Sequence, residues 1–203
     1  MKSNIVSVVF ALSLAHFALP TTARAGDIFH LRGETAQAFF TRTEGCIVTS
    51  VFLAATQGRF QSPPGPGNSQ SNAFAGISQY NTCTTTPVMS AFGSRPLPTG
   101  AFEVTGRLES ATLNTVIRMQ NFPSGTTLDL SVALTWTGSG ELSHGTNHSH
   151  LNSPGLNINN HSSGFSRPAV ASGTVSDGST NHAQGPSAFA TIQKTQSGMV
   201  TIN

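Results

Sequence analysis

The stretch from Leu128 to Trp136 alternates strictly. Leu128, Leu130, Val132, Leu134 and Trp136 fall on one side of an extended backbone, and Asp129, Ser131, Ala133 and Thr135 fall on the other. Successive strand side chains point to opposite faces, so this period predicts a half-buried β-strand with one apolar and one polar face. The only tryptophan of the chain sits on the apolar face, which places it in the core. Just upstream, Leu113, Thr115, Ile117 and Met119 alternate with Thr112, Asn114, Val116 and Arg118. Between the two runs lies Asn121-Phe122-Pro123-Ser124-Gly125, where proline fixes φ and glycine supplies a positive one. The pair predicts a hairpin.

Other segments agree in type. Ala36–Phe40, Phe74–Tyr80, Val88–Phe92, Ala101–Thr105 and Arg167–Val175 read as short strands. Cys46 to Ala55 is apolar on both faces and rich in β-branched residues, which suits a central strand better than a helix. Residues 26–35 read as an N-terminal strand or a loose arm. Gln61 to Asn72, with Pro63-Pro64-Gly65-Pro66, reads as a loop, because proline cannot donate to a ladder. Gly138 to Gly164 is polar and reads as a long loop with a short strand near Leu156–Asn159. Ala188–Ile192 and Met199–Ile202 suggest a closing hairpin around Gln196-Ser197-Gly198. No helical period follows the first segment. The expected fold is all-β, a single antiparallel β-sandwich domain over 26–203, with a small β-barrel as the alternative.

Residues 1–25 have the character of a cleaved signal peptide. Lys2 precedes a mostly apolar run, and Ala23-Arg24-Ala25 gives the small-x-small pattern cut before Gly26. The run is too short and too broken for a membrane span of ~20 residues, and no later stretch qualifies. The expected location is extracellular or periplasmic. The leader also accounts for the net charge of +2. Of 10 Lys and Arg, Lys2 and Arg24 lie in it, whereas none of the 8 Asp and Glu does, leaving equal numbers beyond it. A formally neutral body argues against nucleic acid as a partner. An extracellular protein or a glycan fits better. Cys46 and Cys83 are the only cysteines, and an even pair in an exported chain predicts one disulfide.

Leu134-Thr135-Trp136-Thr137-Gly138, with Ala171-Ser172-Gly173-Thr174-Val175 downstream, resembles a loosely defined set of exported bacterial proteins of β-sandwich type. The resemblance spans about the C-terminal half. It implies export and a β fold, and no activity. An immunoglobulin comparison fails, since Trp136 lies after both cysteines rather than between them.

Candidate ligand chemistry concentrates in histidine. His144, His148 and His150 form His-x3-His-x-His, with Glu141 nearby and His161 and His182 further on. Imidazole nitrogen binds zinc and copper, so the trio is the candidate metal site, set against a plain solvated loop. Asp27, Glu34, Glu44, Glu103, Glu109, Asp129, Glu141 and Asp177 are scattered, and Gly-x-Ser-x-Gly is absent. No catalytic residue is assigned. For stacking on sugars, Tyr80 is the better exposed aromatic and Trp136 the worse. The leading expectation is a non-catalytic binding or structural domain without a cofactor. The alternatives are a metal-binding protein or metal-dependent enzyme using Zn or Cu, and a metal-free hydrolase.

Overall fold

The computed structural model describes residues 28–61, 67–122, 124–153 and 156–202. The leader, the proline-rich segment and Pro123 fall outside them. Ten strands follow in order: β1 (Ile28–Glu44), β2 (Ile47–Gln61), β3 (Asn68–Asn81), β4 (Thr86–Pro96), β5 (Phe102–Thr105), β6 (Ser110–Asn121), β7 (Thr127–Gly138), β8 (Ser143–Ser153), β9 (Leu156–Ser176) and β10 (Phe189–Ile202). All pairings are antiparallel, so the expected all-β class is the observed one. Among the described residues no helix is long and apolar enough to cross a membrane.

The sheet runs β10-β1-β2-β3-β4-β6-β7-β9-β8, and β10 also pairs β9. Hydrogen bonding therefore returns to its starting strand, and the sheet folds over onto a single core. The seam between β4 and β6 is thin. Only Ala91↔Asn121 and Phe92↔Gln120 are in register there, reinforced by Arg95 Nη1 donating to the Val116 carbonyl at 2.8 Å. Gly93 lets the strands come this close. A Cβ at that position would run into the carbonyl of Arg118.

The two alternating runs form the predicted hairpin, with Thr115 opposite Val132. Leu130, Val132, Leu134 and Trp136 are buried from β7, and Ala111, Leu113, Ile117 and Met119 from β6. Across the interior lie Ala36, Ala38 and Phe40 of β1, Val51, Leu53 and Ala55 of β2, and Ile192 of β10. Trp136 Nε1 donates to the Gln37 carbonyl at 2.8 Å and so ties β7 to β1.

Cys46 and Cys83 are disulfide-bonded, with Cα atoms 5.5 Å apart. They join the β1–β2 turn to the β3–β4 turn. Thr82 adds two bonds to the Cys46 carbonyl, from its amide at 2.8 Å and its hydroxyl at 3.0 Å. Asn81 Oδ1 accepts from the amides of Cys83 and Thr84, closing the second turn. One end of the sheet is thus stapled.

Two segments after β7 depart from the sequence reading. The polar segment predicted as a long loop is the hairpin of β8 and β9, in register from Ser143↔Ser166 to Ser153↔Leu156. Asn, Ser and Gly have low strand propensity, but β9 is held along its other edge by β10, and a fixed neighbour overrides propensity. The expected closing hairpin is likewise corrected. Gln196, Ser197 and Gly198 lie within the continuous strand β10, paired to β1 on one side and β9 on the other.

Candidate functional site

Inward-facing positions change character along the strands. On β1 the row Phe40, Ala38, Ala36 continues toward the N-terminus as Glu34, Arg32 and His30. On β2, Val51, Leu53 and Ala55 continue as Gln57 and Arg59; on β10, Ile192 continues as Lys194 and Gln196. Strand alternation keeps each series on one face. The face that carries the core becomes polar at the end opposite the disulfide.

Directly opposed residues share a face, so register assembles this end into transverse rows. One row is Gln57, Glu34, Lys194, Phe165 and His144. The next is Arg59, Arg32, Gln196, Ser163 and Thr146. The third is Gln61, His30, Gly198, His161 and His148. A cleft of about 570 Å³ opens over the first two rows, closed from the side by Leu97, Thr99 and Gly100. A second hollow of about 340 Å³ continues it, lined by His30, Arg32, Arg59, Gln61 and Gln196.

The electrostatics of the cleft are uneven. Glu34 is engaged on both oxygens, by Lys194 Nζ at 2.7 Å and Gln57 Nε2 at 2.6 Å. Arg32 and Arg59 stand directly opposite each other on neighbouring strands. Among the described residues, both arginines line the outer hollow with His30, Gln61 and Gln196. Phe165, largely exposed, supplies an aromatic ring on the cleft wall.

The predicted histidine trio does share one face, that of β8, but its members have different partners. His148 packs edge-on against His161, with ring centroids 4.2 Å apart. His150 Nδ1 bonds Asn159 Oδ1. His144 lies against Phe165, with centroids 4.7 Å apart. Among the described residues, no three His, Cys, Asp or Glu side chains converge as a metal site. Trp136 is buried as expected and Tyr80 is exposed, but Tyr80 lies at the disulfide end, remote in strand position from the cleft.

His182 and Asp177 form a separate pair, Nε2 to Oδ2 at 3.1 Å, with the imidazole buried. Asp177 Oδ1 also accepts from the Ser179 hydroxyl at 2.7 Å and from the amides of Ser179 and Thr180, each at 2.9 Å. Burial pushes this carboxyl up, but the bonds from Ser179, Thr180 and His182 outweigh it and hold the group well below the usual carboxylate range. The pair pins the loop after β9. A depressed pKa stabilises the fold above the unfolded value near 3.9, and the contribution is lost as pH falls below it. The stability advantage of the native chain over Asp177→Asn should therefore shrink between pH 5 and pH 3, read from urea midpoints. A constant advantage would contradict the assignment.

No family model matches the chain, and no curated protein matches it. Among solved structures, a crystal structure from Nitrosomonas europaea, provisionally described as AttH, is similar at 13% identity with a TM-score of 0.30. The match covers 92% of this chain and 56% of that one.

Proposed function

We propose that this chain is an exported, non-catalytic binding domain that takes an acidic saccharide in the cleft at the open end of the sheet. The observation that carries the reading is the gathering of Arg32, Arg59 and Lys194 on one cleft among side chains that bond hydroxyls. A uronate carboxylate seated there accepts charge-assisted bonds in the planar geometry that arginine favours. Gln57, Gln196, Ser69, Ser71 and Thr99 surround the site with groups that bond sugar hydroxyls. Phe165 offers its ring as an apolar face for stacking. The leader over 1–25, cleaved before Gly26, and the resemblance to exported β-sandwich proteins support a location where such saccharides are met.

Calorimetric titration with oligogalacturonate, using a neutral oligosaccharide of equal length as comparator, tests the proposal. Binding of the acidic ligand should weaken with added salt, because the interaction is partly screened. Arg32→Gln should weaken it by about 10–100-fold, since a hydrogen bond to a charged group is worth roughly 1.5–3 kcal/mol. Equal affinity for the neutral oligosaccharide, or unchanged affinity in an Arg32→Gln, Arg59→Gln double variant, would refute it.

A further inference from the structure

The third transverse row carries a different chemistry, independent of the saccharide reading. His148 of β8 and His161 of β9 are register partners, so their side chains rise side by side from one face. Their rings are already in contact, at 4.2 Å between centroids and 72° between planes. Two nitrogens bound to one tetrahedral metal stand roughly 3.3 Å apart, given metal–nitrogen bonds of about 2.0–2.1 Å. Imidazoles rooted on adjacent strands reach that separation by rotation about their side-chain bonds, with no backbone movement. The strand pair therefore pre-organises a chelate, because β9 is fixed between β8 and β10.

The next position in the row is Gly198, the partner of His161 on β10. It has no side chain to cover His161 from that side. His30 leans toward the gap, with Nδ1 3.8 Å from where a Gly198 Cβ would stand. The other histidines of β8 are engaged elsewhere: His150 with Asn159 and His144 with Phe165. No carboxylate belongs to this row, which favours a metal that accepts nitrogen ligands over calcium or magnesium.

We infer that His148 and His161 form a cross-strand chelate for a borderline divalent transition metal, Cu2+ foremost by the usual order of affinities, with the remaining coordination positions open to water. The site differs from the one suggested by the His-x3-His-x-His spacing. Its second ligand lies across the hairpin, and His144 and His150 are not part of it.

Titration of the exported chain with Cu2+ or Zn2+ alone, followed by calorimetry and by the nitrogen couplings in the Cu2+ electron paramagnetic resonance spectrum, tests the inference. The native chain should bind one Cu2+ through two imidazole nitrogens. His148→Ala and His161→Ala should each lower affinity by more than about tenfold, the loss of one ligand bond. His144→Ala should not change it, and circular dichroism should show the same strand content in all three variants. Absence of binding by the native chain would overturn the site. So would His161→Ala binding as the native chain does, or loss of affinity on His144→Ala equal to that on His148→Ala. The saccharide titration is run without metal, so either reading can fail alone.

Discussion

Trp136→Ala should lower the free energy of unfolding by about 3–5 kcal/mol, the range for deleting a buried aromatic side chain. The indole is fully buried between the β6–β7 hairpin and β1. It reaches β1 at Gln37, whose chain neighbours Ala36 and Ala38 are buried. Its Nε1 also satisfies the Gln37 carbonyl from the opposite side of the core. Trp136→Phe separates the two contributions. It keeps most of the apolar volume and loses the hydrogen bond, so it should cost less, about 1–3 kcal/mol for a buried polar group left without its partner. Urea denaturation of both variants measures this. Equal, small losses would mean that the indole fills no essential space.

Replacing Cys46 and Cys83 together with serine should cost about 3–4 kcal/mol. The bridge spans 37 positions of sequence, and loop-closure entropy for a loop of that size gives roughly this figure. The Thr82 bonds to the Cys46 carbonyl remain in the variant and keep the two turns together in the folded state. The loss should therefore arise chiefly in the unfolded chain, which becomes less restricted. Equilibrium unfolding of the native and double-serine chains tests it, and identical midpoints would contradict it. The cleft lies at the other end of β1, β2 and β3, so ligand binding by the folded double variant should be unaffected.

Fold class was legible because β6 and β7 each place apolar side chains at every second position, and a period of two admits only a strand. β8 and residues 160–166 of β9 were not legible. Their inward face is His144, Thr146, His148 and His161, polar on polar, so alternation leaves no hydropathy signal. What makes them strands is the edge of β10, a long-range partner that local sequence does not announce. β10 failed for a related reason: Gly198 resembles a turn residue in isolation but is paired on both sides.

The cleft illustrates the limit of net charge as a guide. Beyond residues 1–25 the charges balance, yet register brings Arg32, Arg59 and Lys194 to one end of one face. Their parity was readable, since Arg32 is in phase with Ala36 and Ala38, and Arg59 with Leu53 and Ala55. Their opposition was not, because it depends on where β1 turns into β2. The histidine trio was legible as a cluster in sequence, within a segment read as a loop, and its place on one strand face was not. The partner that matters most to His148 lies on β9, and its pairing is likewise a matter of register.

The most direct test of the central claim is to map binding by amide chemical shifts as oligogalacturonate is added to the chain. The account predicts shifts concentrated at residues 30–34, 57–61 and 194–196, with Tyr80 and the Cys46–Cys83 end unmoved. Shifts centred on the disulfide end, or none at saturating ligand, would contradict it.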